Sequence, residues 1–142
     1  MKYWIFILMG LMNVAVSNAA QTDTLAVPSA SMKKSIPTVI VVPEGYQSAK
    51  ELYPVIYLLH GAGGSYRNWI TRVPHIQQLA DENKVIIVCP DGAVTSWYFD
   101  SPIDSSIRYE TFVAKELPAY IDQQYKTIPN RNGRVITGLS MG

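Results

Sequence analysis

Two unbroken apolar runs, Val55-Ile56-Tyr57-Leu58-Leu59 and Val85-Ile86-Ile87-Val88, constrain the fold of this chain more than any other feature. A strand with one wet face alternates apolar and polar residues. A continuous run suits a strand buried on both faces, as in a parallel sheet covered by helices. Thr38-Val39-Ile40-Val41-Val42, β-branched and stopped by Pro43-Glu44-Gly45, reads as another strand. Arg134-Val135-Ile136-Thr137 reads as a shorter fourth.

Helical patterns lie between these runs. Pro74 suits a first helical turn, and Ile76, Leu79 and Ala80 follow at helical spacing. Tyr109, Phe112, Val113, Leu117, Tyr120 and Ile121 form a cleaner i, i+3, i+4 stripe. Ser106 stands where its N-cap would, and Pro118 inside the stripe should kink or split the helix. Alternating strands and helices predict an α/β domain over residues 36–142. A polar leader, residues 20–35, precedes it with room for one edge strand.

Composition removes several function classes. The 142 residues are 48% hydrophobic and 16% charged, too apolar for a disordered chain. Twelve Lys and Arg against eleven Asp and Glu leave no basic surplus for a phosphate backbone, so no nucleic-acid partner is expected. One cysteine permits neither an intrachain disulfide nor a Cys-rich zinc site. Cys89 extends the Val85 run and reads as a buried, inert thiol. No motif calls for a metal or an organic cofactor.

Residues 1–19 read as a signal peptide. Lys2 supplies a positive start, Tyr3 to Val16 is almost wholly apolar, and Ser17-Asn18-Ala19 places small residues before a cleavage point. A membrane span needs about 20 apolar residues, and this run is shorter. Export to the periplasm or medium is expected, with no membrane anchor after cleavage.

Two glycine motifs carry the chemistry. Gly138-Leu139-Ser140-Met141-Gly142 matches G-x-S-x-G directly after a strand, the pattern of a nucleophile elbow on a sharp strand-to-helix turn. The bland alternative is a glycine-rich turn without chemistry. His60-Gly61-Ala62-Gly63-Gly64 follows the Val55–Leu59 strand and could aim backbone amides into a cleft. An ordinary loop or a phosphate-binding loop competes there, although G-K-[ST] is missing. His60 precedes the serine, whereas this fold orders its triad as Ser, acid, His. His60 therefore reads as a structural hydrogen-bonding residue, and His75, among polar neighbours, as no base either.

Together these segments resemble the "Putative esterase" family. Tyr53-Pro54-Val55-Ile56-Tyr57-Leu58-Leu59-His60-Gly61 is similar to its YPVLYLLHG block. Trp69, Pro90-Asp91-Gly92, Ser96-Trp97-Tyr98, Tyr109-Glu110-Thr111-Phe112 and Glu116-Leu117 resemble its following loops and helix, and the elbow resembles GLSMGG. The family includes feruloyl and acetyl-xylan esterases, esterase D (S-formylglutathione hydrolase) and mycolyltransferases.

The resemblance implies an α/β-hydrolase fold, cut at the elbow, in which the strand ending at Thr137 lies beside Val55–Leu59. It implies Ser140 as nucleophile and the backbone N–H groups of Ala62 and Met141 as oxyanion hole. Trp97 and Tyr98 would lie near the substrate, or else pack locally. The family's catalytic acid and histidine would fall beyond Gly142, leaving these residues inactive by themselves. The function implied is a secreted serine esterase acting on acyl groups, acetyl or feruloyl, carried by carbohydrate. Acyl transfer to a sugar hydroxyl and a non-catalytic carbohydrate-binding or vestigial hydrolase fragment are the competing readings.

Overall fold

The structure, a computed structural model, describes residues 20–142. The expected signal peptide lies outside the described residues. Five strands form one sheet: β1 (Gln21–Ser29), β2 (Lys34–Val42), β3 (Val55–Leu59), β4 (Ile86–Pro90) and β5 (Arg134–Gly138). Their order across the sheet is β1-β2-β4-β3-β5. β3 pairs in parallel with both β4 and β5, while β1 and β2 run antiparallel at the other edge. The expected juxtaposition of the Thr137 strand with Val55–Leu59 is present, with Thr137 opposite Leu58.

The unbroken runs are strands covered on both faces. Val55, Tyr57 and Leu59 face one side, with Ile86 and Val88. Ile56, Leu58, Ile87 and Cys89 face the other. Helices α1 (Asn68–Arg72) and α2 (Ile76–Asn83) cover the second side, where Ile76 and Ala80 are buried. The first side is covered by α3 (Tyr109–Thr111), a π-helical turn (Phe112–Glu116) and α4 (Leu117–Gln124). Phe112, Leu117 and Ile121 from this helix are fully buried. Such three-layer burial is what makes a continuous apolar strand favourable.

The edge strand for which the leader had room is β1, paired along its whole length with β2, which itself begins earlier than expected, at Lys34. Three further details differ from the sequence reading. α1 went unread, being a single short helix without a buried residue. α2 starts at Ile76 with His75 at the N-cap, so Pro74 precedes the helix. Finally, Ser106 caps nothing, because the helix starts from Arg108. The first turn is capped from outside by Asp100, which accepts the Thr111 backbone N–H at 3.0 Å and its hydroxyl at 2.5 Å. Burial pushes the Asp100 carboxyl up, but the two Thr111 hydrogen bonds, the Arg108 charge and the Glu110 N–H together hold the group below its usual value.

Pro118 falls in the first turn of α4, immediately after the π-helical turn that interrupts the helix. That turn widens, with the Leu117 N–H donating to the Phe112 carbonyl five residues back. A π-turn of this kind absorbs the hydrogen bond that proline cannot donate. At that turn Glu116 reaches back to the β1–β2 hairpin. Its carboxylate accepts the Ser31 N–H at 2.8 Å and the Ser29 hydroxyl at 2.6 Å. One side chain thereby ties the antiparallel edge to the helical layer.

Candidate active site

The site sits where β3 and β5 end side by side. Gly138 lies opposite Leu59, and each strand then turns sharply. On β5 the turn places Ser140 at φ +57°, the left-handed region that ordinary residues avoid. Holding a non-glycine residue there costs on the order of 1–2 kcal/mol and needs a reason. The flanking glycines permit the turn. A Cβ on Gly138 would lie 2.7 Å from the Leu59 carbonyl oxygen, and one on Gly142 2.5 Å from the Leu59 Cβ. Ser140 is exposed at the tip, while Met141 beside it is buried.

The glycine turn after β3 meets this tip. A Cβ on Gly61 would lie 3.2 Å from the Leu139 carbonyl oxygen and 3.4 Å from the Ser140 Cβ. The turn is closed by the Gly64 N–H donating to the Gly61 carbonyl at 3.0 Å. It is tied to the next loop by the Gly63 N–H donating to the Val94 carbonyl at 2.8 Å. Among the described residues, neither the Ala62 N–H nor the Met141 N–H has a hydrogen-bond partner. The two amides singled out by the sequence are thus both unspent beside the serine.

His60 is fully engaged in holding this geometry. Its ring is buried; Nδ1 meets the Gly61 carbonyl at 2.8 Å and Nε2 accepts the Gly92 N–H at 2.8 Å. A carbonyl only accepts and an amide only donates, so the proton sits on Nδ1 and Nε2 is the acceptor. His60 has no lone pair left for a serine hydroxyl. His75 is exposed at the start of α2 and makes no contact with the elbow. Among the described residues no side chain hydrogen-bonds the Ser140 hydroxyl, and no group of His, Cys, Asp and Glu could hold a metal ion. Cys89 is buried, and desolvation pushes its thiol up to about 12, far from a reactive thiolate.

Trp97 and Tyr98 part company. Both backbones are left-handed, at φ +54° and +52°. Trp97 is 56% exposed, whereas the Tyr98 ring is buried edge-on to His60, and its hydroxyl accepts the His60 N–H at 3.2 Å. A Cβ on Gly92 would lie 2.3 Å from the Tyr98 ring, so the glycine of Pro90-Asp91-Gly92 makes room for that tyrosine. Sequence reasoning missed this linkage of His60, Gly92 and Tyr98. It also missed Asp91, whose carboxylate accepts the Ala93 N–H at 2.8 Å and shapes the same loop. A cavity of about 130 Å³ adjoins the elbow, lined by Gly61, Asn68, Trp69, Arg72, Val73 and Leu139, with His60 at its back.

Known proteins are similar to this chain. A solved ferulic acid esterase superposes with a TM-score of 0.74 at 32% identity, covering 89% of this chain and 51% of that one. An esterase of Mycobacterium tuberculosis (strain CDC 1551 / Oshkosh) is 32% identical over 106 residues, 72% of this chain and 23% of its own. A diacylglycerol acyltransferase/mycolyltransferase of Mycobacterium gordonae is 31% identical over 128 residues, 84% of this chain and 35% of its own. The chain therefore spans about half the length of that solved esterase, and less of the two mycobacterial relatives. The "Putative esterase" family model matches residues 29–142, from the end of β1 through the elbow. With an α/β-hydrolase sheet, a serine at its strained turn and that match across most of its length, the chain belongs to the "Putative esterase" family.

Proposed function

We propose that this chain carries the nucleophile and oxyanion side of a secreted serine esterase whose substrates are acyl esters on carbohydrate. The observation that carries the reading is the left-handed Ser140, held at the end of β5 with Gly61 packed against it. Lys33, Lys84 and Ala93 are left-handed too, but at Ser140 that backbone falls on the serine of G-x-S-x-G directly after a strand, the pattern that projects a hydroxyl into a cleft. Ser140 Oγ attacks the ester carbonyl carbon, and the C=O electron pair moves onto oxygen. The Ala62 and Met141 N–H groups, unspent among the described residues, receive that developing charge. The carbon–oxygen bond to the sugar then breaks, the sugar oxygen takes a proton, and water hydrolyses the acyl-enzyme.

The Ser140 proton needs an acceptor, and His60 and His75 are both placed elsewhere. We assign that role to a histidine outside residues 20–142, oriented by an acid, as the Ser-acid-His order of the fold requires. Residues 20–142 alone then hold a protonated, weak nucleophile. The apolar run Tyr3–Val16 with Ser17-Asn18-Ala19 supports export. Among the described residues no helix is long and apolar enough to cross a membrane. Similarity to a solved ferulic acid esterase supports an ester of ferulic acid among the substrates.

The acyltransferase among the relatives favours a second reading, in which a sugar hydroxyl replaces water. Product analysis separates the two. Acetylated and feruloylated xylo-oligosaccharides are incubated with full-length protein, with and without excess free sugar. Hydrolysis releases free acid at the same rate in both. Transfer gives a new sugar ester that grows with acceptor concentration. Turnover of p-nitrophenyl acetate without release from either oligosaccharide contradicts the carbohydrate assignment.

A further inference from the structure

An open groove of about 610 Å³ lies at the opposite end of the sheet from Ser140. Its position follows from the strand register. Gln21 pairs with Val42 at the end of β2, and Val41 pairs with Ile87 near the start of β4. The groove reaches from the turn after β2, at that end of the sheet, along Asp23 and Leu25 of the β1 edge. Ser140 follows the C-terminal end of β5, at the other edge. Nothing in the esterase reading uses this groove.

Its walls are aromatic and its rim is polar without free positive charge. Tyr46 is buried at the base, with the Tyr125 ring 6.2 Å away and tilted by 47°. Tyr120 stands half-buried on α4. Gln47, Gln123 and Gln124 are exposed along the rim, and among the described residues their side-chain amides have no hydrogen-bond partner. The Asp23 carboxylate accepts only the neighbouring Thr24 N–H, at 2.8 Å. Burial, and after it the Asp23 charge, push the Tyr125 hydroxyl up to about 12, so it remains an uncharged donor.

Lys126, the single cation of the lining, is spent. Its ammonium donates to the carbonyls of Tyr46, Gln47 and Ala49 at 3.0, 3.0 and 2.7 Å and lies 5.1 Å from the Tyr46 ring centre. Its backbone N–H donates to the Tyr46 hydroxyl at 2.8 Å. These bonds fix the turn bearing Gln47 against α4, so the groove is formed before any ligand arrives.

From this chemistry we infer that the groove is a second binding site, for a neutral oligosaccharide. Sugar rings offer an apolar C–H face that packs on an aromatic ring, and a rim of hydroxyls that both donate and accept. The half-buried rings of Tyr120 and Tyr125 supply the first partner. Primary amides, which also donate and accept, and a carboxylate supply the second. A phosphate-bearing or acidic ligand finds no free cation here and meets the Asp23 charge. The site stands on the groove's own residues and is independent of the role given to Ser140.

The test is calorimetric titration of full-length protein with unesterified xylohexaose, cellohexaose and hexagalacturonate. Two variants accompany it: Tyr120→Ala, and the exposed pair Gln47→Ala with Gln123→Ala, chosen because neither glutamine side chain contributes to packing. At least one neutral hexasaccharide binds the parent, and both variants weaken it at least tenfold. Hydrolysis of p-nitrophenyl acetate stays at the parent rate in both. Failure of both neutral hexasaccharides to bind, preference for hexagalacturonate, or unchanged affinity in the glutamine pair overturns the inference. Binding that is lost in the variants of a protein without esterase activity upholds the groove and sinks the esterase reading alone.

Discussion

Gly61 packs directly on Ser140, so the turn after β3 and the turn after β5 form one surface; a Cβ on the glycine would stand 3.4 Å from the serine Cβ. The same added carbon would press on the Leu139 carbonyl at 3.2 Å, a backbone atom that can yield only by moving the elbow. Gly61→Ala should therefore lower kcat while leaving the protein folded. A displacement of a few tenths of an ångström costs on the order of tenfold, since about 1 Å costs roughly a hundredfold. Steady-state hydrolysis of p-nitrophenyl acetate measures it, and an unchanged kcat would place the two turns further apart than described.

Ala62→Pro removes an N–H that no other described group uses. Loss of one oxyanion donor costs roughly 100- to 1000-fold in kcat. KM should change little, because the lost bond forms mainly in the transition state. A soluble, folded Ala62→Pro protein with parental kcat would assign the donor elsewhere.

Ser140→Gly should be more stable than Ser140→Ala by about 1 kcal/mol, because only glycine occupies φ near +57° without a Cβ penalty. Neither variant carries the Ser140 hydroxyl, so the comparison isolates backbone strain. Chemical denaturation of the two reads the difference. Equal stabilities would mean that the elbow is relaxed and its strain is no sign of function.

His60→Ala should hurt folding first. It strands the buried Gly92 N–H and unfastens the Gly61 carbonyl, and one unsatisfied buried donor costs about 1–3 kcal/mol. Activity that survives should keep the shape of the parental pH–kcat profile, since both ring nitrogens of His60 are engaged away from Ser140. A variant of parental stability whose profile loses its acid limb would make His60 the base.

The strands that sequence patterning found are those that burial forces to be apolar. β3 and β4 announced themselves because helices cover both faces. β1 showed only as room for an edge strand, since its first four residues are exposed and its backbone ladder to β2 defines it. Helix ends were harder still. Asp100 caps the helix from a loop several residues upstream, and no local pattern marks a cap that arrives through space.

The same division holds at the site. Gly138, Ser140 and Gly142 were legible because one tight turn against Leu59 dictates their spacing. Gly61 was legible for the same reason, one strand away. The clasp of His60, Gly92 and Tyr98 was not, because it joins two loops whose meeting depends on the sheet being already built. The Trp97-Tyr98 pair shows the limit plainly. Two adjacent aromatics of similar composition end in opposite places, one buried under the site and one on the surface.

The central claim is that Ser140 is the nucleophile, and Ser140→Ala in the full-length protein tests it most directly. Hydrolysis of p-nitrophenyl acetate is measured beside the parent, with circular dichroism to confirm the fold. Removing the nucleophile of a triad enzyme costs on the order of a millionfold in kcat. The variant should be folded with turnover indistinguishable from background; folded protein retaining activity within tenfold of the parent would mean that Ser140 is not the nucleophile.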